Sequence, residues 1–317
     1  MGQLKVAVIG CGSWGYQHAR VLNELPNVGL EAVADINPER VQRVTERFHC
    51  KGYSSPEKML KDSDLDAVSV CTPTVTHVDL AYLALMARKH MLVEKPMTNT
   101  SEEASMLIDA ARSVGVFLSV GFVERFNPAV QEAKKMVEQG EIGEVFLVHT
   151  RRVTRRPARV GDIGVVKDLG IHDIDVANYI MGDTPETVYA TVGSHSHCFE
   201  DYANIVLRYQ GNRSAFIETN WLTPKRVGTL TITGSEGIIE VEYTTQELRV
   251  EKNDHIYQPL NWYREPLYLE LLDFTSAILE KRKPTVSGEE GLQALRVCEA
   301  ALESAETGQA VVIKRKK

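Results

Sequence analysis

Cysteine is scarce and unordered in this chain of 317 residues. Cys11, Cys50, Cys71, Cys198 and Cys298 form no Cys-x-x-Cys pair and keep no regular spacing. That excludes a zinc ribbon or a disulfide framework and fits a reducing compartment. Long apolar runs are missing too: stretches such as 6–10 and 81–87 fall far short of the ~18 residues that suggest a membrane span. Strand-like sequence already begins at Lys5, so no secretory leader is expected. Positive charge is not in excess, because 36 Lys and Arg face 43 Asp and Glu for a net charge of −7. Nucleic acid and anionic membranes are therefore poor partners, and the terminal Lys314-Arg315-Lys316-Lys317 is too short to reverse this. The remaining expectation is a cytoplasmic protein. With 43% hydrophobic and 25% charged residues it has core enough to fold. At about 150 residues per domain the length predicts two domains.

Two regimes run along the chain. Up to about Gly121, short apolar runs at 4–10, 30–35, 67–71, 90–94 and 117–120 alternate with helical patterns at 16–25, 38–48, 75–89 and 101–114. Asn37 is placed to cap the second helix, and Pro38 takes its first turn. Continuous apolar strands alternating with helices predict a parallel sheet covered on both faces. After Phe126-Asn127-Pro128 the pattern changes. A helix at 129–139 stops at Gly140, and period-two alternation follows. Ala203, Ile205, Leu207 and Tyr209 share one face against Asn204 and Arg208, while Ile239, Val241 and Tyr243 oppose Glu240 and Glu242. This predicts a large, open, mostly antiparallel sheet. Helices are expected at 266–281 and 289–306, with Ser287 and Glu290 in a capping-box pattern at the second. The domains read as 1–122 and 123–317.

The first strand runs into Gly10-Cys11-Gly12-Ser13-Trp14-Gly15, a Gly-x-Gly-x-x-Gly hexad that opens a helix. Gly10 permits the tight turn, Gly12 the approach of a pyrophosphate, and Gly15 close packing of helix on sheet. The helix N-terminus supplies N–H groups and partial positive charge. Asp35 ends the second strand, where an acidic residue accepts from ribose hydroxyls and repels a 2′-phosphate. NAD is thus expected rather than NADP, although Arg40 lies near enough to blur the choice.

Thr72-Pro73 and Glu94-Lys95-Pro96 fall at the carboxyl ends of the next two strands, the ligand-binding edge of such sheets. With His77 they are assigned to the nicotinamide side. Pro96 restricts the backbone of Lys95, which is either an aimed functional lysine or an edge residue paired with Glu94. Asp168, His172 and Asp175 lie at i, i+4 and i+7, one face if helical. They read as an acid–base group, as dipole-favoured acids of a first turn, or as metal ligands. No further ligand set accompanies them and His195-Ser196-His197-Cys198 sits in a strand or loop, so no metal is expected. Arg151, Arg152, Arg155, Arg156 and Arg159 crowd one strand end and suggest an anionic substrate, or else a face turned to water or a second subunit.

This ordered set resembles the Gfo/Idh/MocA oxidoreductases: Val8-Ile9-Gly10-Cys11-Gly12, Cys71-Thr72-Pro73, Glu94-Lys95-Pro96, Gly121-Phe122 with 125–128, and Asp168 with His172-Asp173 and Asp175. The resemblance implies an N-terminal Rossmann domain, a C-terminal α+β domain and a homodimer or homotetramer. It also implies that Lys95 and His172 act on a reacting sugar or inositol hydroxyl, with Asp168 and Asp175 supporting them. Gly161-Asp162-Ile163-Gly164-Val165-Val166 departs from the denser glycine run of many relatives and leaves the substrate loop open. A narrower resemblance, to UDP-N-acetylglucosamine 3-dehydrogenases, rests on 220–226 (including Trp221 and Lys225), 233–237 and 242–246. It implies a nucleotide sugar as substrate, which Arg155 and Arg159 of the arginine cluster are expected to bind together with Trp221 and Lys225. An inositol or free-sugar dehydrogenase, or a non-catalytic cofactor-binding regulator, are the alternatives.

Overall fold

In a computed structural model the apolar runs of the first half become six parallel strands: β1 (Leu4–Ile9), β2 (Val28–Ala34), β3 (Lys51–Tyr53), β4 (Ala67–Val70), β5 (His90–Glu94) and β6 (Leu118–Gly121). The structure describes residues 3–156, 161–195, 198–260 and 262–313. The strands lie in the order β3-β2-β1-β4-β5-β6, the doubly wound arrangement of a dinucleotide-binding sheet. Every residue of β4 and β6 is buried, as expected for strands covered on both faces.

The helices between them are α1 (Ser13–Glu24), α2 (Pro38–Phe48), α3 (Pro56–Asp62), α4 (His77–Met86) and α5 (Ser101–Val114). Local chemistry fixes their ends. The Asn37 side chain accepts from the Glu39 and Arg40 N–H groups, with Pro38 following. Thr100 and Glu103 form a capping box on α5, and Gly115 closes it in the left-handed region. The stretch expected as one helix over 75–89 divides into a 3₁₀ turn at Thr74–Thr76 and the shorter α4.

The later elements are α6 (Pro128–Glu138), β7 (Val145–Arg155), a π-turn (Val166–Gly170), α7 (Ile171–Met181), β8 (Thr187–Gly193), β9 (Tyr202–Arg208), β10 (Ser214–Asn220), β11 (Leu222–Gly234), β12 (Ile238–Glu242), β13 (Glu247–Glu251) and β14 (Ile256–Tyr257). Then come α8 (Pro266–Glu280), α9 (Gly288–Thr307) and β15 (Val311–Val312). The nine strands order as β14-β13-β12-β11-β7-β10-β9-β8-β15. Only β7 with β10 pairs in parallel, so the sheet is mixed but mostly antiparallel. In β9, Ala203, Ile205 and Leu207 are buried while Tyr202, Asn204, Val206 and Arg208 are exposed, which leaves one face of the sheet open.

Two compact units result, Met1–Phe122 with Leu267–Leu292, and Val123–Pro266 with Gln293–Lys317. Helix α8 and the start of α9 therefore return to the dinucleotide unit, whereas the sequence reading placed everything after 122 in the second domain. Leu267, Leu271, Phe274 and Ala277 of α8 are buried. The Ser119 hydroxyl donates to the Val286 carbonyl at 2.7 Å and joins this return to β6. Among the described residues no helix is long and apolar enough to cross a membrane.

A buried ionic group braces the second unit. Arg152 on β7 donates to both oxygens of Asp173 on α7 at 3.0 and 3.2 Å, and to Glu124 at 2.8 Å. Its guanidinium also lies 4.6 Å from the centre of the Tyr243 ring, whose hydroxyl meets Asp173 at 3.3 Å. Removing one partner strands buried charge, which typically costs about 3–5 kcal/mol. Arg152→Met should accordingly destabilise the protein by that amount in urea denaturation, and Asp173→Leu made in the same chain should recover a large part. An Arg152→Met loss under 1 kcal/mol would show that the group is not a brace.

Candidate active site

The hexad turn in the first unit is built by close backbone approach. Gly10 adopts φ +96°, and a β-carbon there would stand 2.7 Å from the Cys71 carbonyl oxygen. A β-carbon at Gly15 would overlap the Gly10 carbonyl, so α1 packs on β1 only with glycine at that position. Gly12 differs. It precedes α1 without a side-chain cap, and nothing lies within 4 Å of where its β-carbon would be. No acidic side chain occupies the first turn of α1, so its N–H groups suit phosphate.

Asp35 is nearly buried and serves the turn itself. It accepts from the Cys11 N–H at 2.6 Å and the Asn37 N–H at 2.8 Å. Two of its roughly four acceptor positions remain for ribose hydroxyls. Arg40 approaches only to 4.0 Å and is half exposed. Arg43, not singled out by the sequence reading, donates to the Cys11 carbonyl at 3.2 Å and stacks on Tyr16. Burial pushes the Cys11 thiol up to about 12, which removes it as a nucleophile.

The loops after β4 and β5 are tied together by His77. Its Nδ1 is 2.8 Å from the Pro96 carbonyl oxygen and its Nε2 2.9 Å from that of Thr72. Thr76 donates to the Thr72 hydroxyl and the Pro73 carbonyl, both at 2.8 Å. The Lys95–Pro96 peptide is cis. Glu94 is buried, accepts from the Lys95 N–H at 3.2 Å and faces His18 at 3.1 Å. Trp14 is partly exposed and packs edge-on against the His18 ring beside Glu94. These residues, with Gly10, Gly12, Ser13, Gly15 and Asp35, lie within one unit and at one sheet edge.

In the second unit the Asp168 segment begins as a π-turn before α7, not as regular α-helix. Such turns occur often at functional sites. Glu200, unremarked in sequence, holds its start: the Val165 N–H donates to the Glu200 carbonyl and the Val166 N–H to its carboxylate. Burial pushes the Glu200 carboxyl upward. Asp168 is 1% exposed and His172 is partly exposed. Asp175 is held by Arg125 in a two-pronged pair, both contacts at 2.7 Å.

The arginine cluster is mostly engaged internally. Arg151 pairs with Glu218 at 2.9 Å, Arg152 is in the buried brace, and Arg156 stacks over Trp221. Trp221 is 3% exposed, so it offers no open aromatic platform. Arg155 and Lys225 are exposed. Arg159, His197 and the terminal basic tetrad lie outside the described residues.

Gly12→Ala separates folding from binding. The variant should keep its stability within about 1 kcal/mol, the scale of a helix-cap change. A methyl group in the phosphate approach should weaken NADH at least tenfold in a fluorescence titration, about 1.4 kcal/mol. Gly10→Ala should lose folded protein instead. Unchanged NADH affinity in Gly12→Ala would move the pyrophosphate elsewhere.

Residues 4–122 match a family model described as an oxidoreductase family with an NAD-binding Rossmann fold, and 134–313 match its C-terminal alpha/beta domain. Myo-inositol 2-dehydrogenase of Thermotoga maritima is 31% identical, over 97% of this chain and 98% of that protein. UDP-N-acetylglucosamine 3-dehydrogenase of Acidithiobacillus ferrooxidans is 34% identical over 60% of this chain and 58% of its own length. The solved structure of that enzyme superposes with a TM-score of 0.89 at 27% identity, covering 97% and 99% of the two chains. With both domain models matched across nearly its whole length, the chain belongs to the Gfo/Idh/MocA family of NAD-binding oxidoreductases.

Proposed function

We infer that the protein oxidises a secondary ring hydroxyl of a sugar with NAD, and that the sugar is a nucleotide sugar, with UDP-N-acetylglucosamine oxidised at C3 as the leading case. The observation that carries the oxidation is Lys95. It stands at the carboxyl end of β5, on a loop that His77 ties to Thr72, at the sheet edge that carries the Gly10–Gly15 turn. Asp35 and the N-terminus of α1 would hold the adenosine ribose and the phosphates, with Thr72, Pro73 and Pro96 beside the nicotinamide. When bound, that cofactor supplies the hydride acceptor.

Oxidising an alcohol to a ketone releases a hydride from carbon and a proton from oxygen, and the protein must take the proton. Lys95 as a neutral amine accepts it directly. As an ammonium it stabilises the developing alkoxide while His172 accepts. Asp168 supports His172, and Asp175, already paired with Arg125, fixes α7 more than it binds substrate. Arg155 and Lys225 are the exposed cations offered to a diphosphate.

A second reading, an inositol dehydrogenase, is favoured by the whole-length match to the Thermotoga enzyme and by the internal engagement of Arg151, Arg152 and Arg156. A panel of UDP-sugars, free sugars and inositols with NAD⁺, read by absorbance of reduced cofactor, separates the two. UDP-N-acetylglucosamine should be turned over, and Lys95→Ala and His172→Ala should each cost roughly 10²–10⁴-fold in kcat with NADH affinity nearly intact. Turnover of inositol alone hands the assignment to the second reading.

The open sheet face supports self-association. Tyr189, Val206 and Phe216 are partly exposed neighbours across β8, β9 and β10, with His149 of β7 next in the row. A second copy of this chain is the partner proposed for this face. Phe216→Arg should then shift the mass measured by light scattering towards the monomer, and a wild-type monomer at working concentration contradicts the assignment.

A further inference from the structure

Beneath the strand-end residues of the first unit lies a group of ionisable side chains that the proposed chemistry leaves unused. His18, on α1, is fully buried. Its Nδ1 is 2.8 Å from the Ser69 hydroxyl on β4, and its Nε2 is 3.1 Å from Glu94 Oε1 on β5. Glu270 arrives on α8, is 1% exposed, and brings a carboxylate oxygen to the same point. One donor atom each from His18, Glu94 and Glu270 lies within 4.8 Å of the others. Trp14 packs edge-on against the His18 ring, and the Cys71 sulfur sits 3.5 Å from the Ser69 hydroxyl. Lys95 follows Glu94 directly in the chain.

Buried carboxylates persist only with compensating positive charge. His18 is placed to supply it: its Nδ1 is in hydrogen-bond contact with Ser69, and its Nε2 lies within ion-pair distance of Glu94 Oε1, without hydrogen-bond alignment. Burial opposes the charged ring, yet Cys71 and Glu94 outweigh it and hold the His18 pKa well above the usual range. Of the two, Glu94 is the one at ion-pair distance from the ring. Burial pushes Glu94 upward as well, but His18, Trp14 and Lys95 prevail and keep it below the ordinary carboxylate value. The result is an ion pair with a second carboxyl group, Glu270, beside it.

Glu94 links this group to the chemistry. Its Oε1 faces His18, while its Oε2 accepts from the backbone N–H of Lys95 at 3.2 Å. We propose that His18 and Glu270 are positioning residues for Lys95: with Glu94 they form a buried charge group that holds the Glu94–Lys95–Pro96 turn and sets the field at the lysine amine. The proposal deepens the reading of Lys95 as a proton-handling residue and rests on it.

The two outer members act on Lys95 with opposite sign. In the proposed charge group Glu270 is ionised, so Glu270→Gln keeps the shape and removes a negative charge, the ammonium becomes less favoured and Lys95 should titrate lower. His18→Gln keeps a donor for Glu94 but removes a positive charge, so Lys95 should titrate higher. The acid limb of kcat/KM against pH should move down in the first variant and up in the second, each by about half to one unit. kcat should fall about tenfold in both, with NADH affinity changed less than threefold. A merely structural role would lower both activities without opposite shifts, and shifts of the same sign, or none, overturn the proposal.

A readout without substrate keeps the two inferences separate. Reductive ¹³C-methylation of the lysines, with the Lys95 signal assigned by its loss in Lys95→Arg, gives the titration of Lys95 by NMR in all three proteins. Opposite shifts there, together with full turnover by Lys95→Ala, would uphold the charge group and refute the role of Lys95 in catalysis. If either variant fails to fold, the wild-type His18 ring decides: it should remain cationic at pH 7.5, and titration near 6.5 overturns the proposal. Stoichiometric zinc or another divalent ion in the purified protein, lost in Glu270→Gln, would assign the three side chains to a metal and overturn it as well.

Discussion

The first unit depends on one packing constraint, the depth to which α1 sinks onto β1. The Gly10 carbonyl occupies the space that any side chain at position 15 would need. That contact brings the N-terminus of α1 over the strand ends, and it forces the Gly10 backbone into the left-handed half of conformational space. Asp35 then closes the turn by accepting from the Cys11 N–H, so the residue proposed to accept from the ribose also shapes this loop. The same carboxylate thus serves the turn with two of its acceptor positions and, in the proposed role, the ribose with the remaining ones. A change of cofactor preference at Asp35 has to rebuild the turn as well as admit a new phosphate.

Each unit also encloses a compensated ionic group close in the chain to its proposed functional residues. Glu94 directly precedes Lys95, and Asp173 directly follows His172. In each case one residue of a neighbouring pair is buried and paired, while the other is the proposed functional group. Buried pairs add little net stability, because desolvation offsets their attraction, but breaking them is costly. Their value lies in geometry. A carboxylate held at both oxygens, as Asp173 is by Arg152, admits few alternative positions for the backbone that carries the next side chain.

Much of this architecture is legible in the sequence, and the reasons are local. Continuous apolar runs, an Asn-Pro cap at residues 37–38 and a glycine hexad are written within a few residues of where they act. The parallel sheet, α2, β5 and α5 accordingly appear where they are expected. Short, edge-lying or non-local features are not written that way. β3 holds three residues, none of them buried, so it carries no apolar signal. The apolar stripe of α8 shows that one face is covered but not by what, and the helix therefore reads as part of the second domain. The parallel pairing of β7 with β10 depends on register between distant segments. For the same reason the strand-end residues Thr72, Glu94 and Lys95 stand out while their supports do not. His18 in sequence is a lone histidine on the apolar face of α1, and Glu270 is one more acid in a helix rich in leucine.

The arginines of β7 show how far sequence charge can mislead about field. Five arginines within nine residues suggest a strongly positive surface in a protein of net charge −7. In the fold the strand alternates, so its arginines divide between faces. Arg152 points into the core and is consumed by Asp173 and Glu124. Arg151, on the other face, meets Glu218 of β10, the parallel neighbour that the sequence does not reveal. Arg156 lies over the Trp221 indole, where a guanidinium stacks on an apolar face. Exposed pairs like Arg151–Glu218 leave little net charge to steer an anion. Any attraction for a diphosphate from the described part of this strand therefore falls mainly to Arg155, at its exposed end. On the proposed reading, discrimination of a nucleotide sugar from a neutral polyol by the described part of this strand rests on Arg155 and not on a broad positive field.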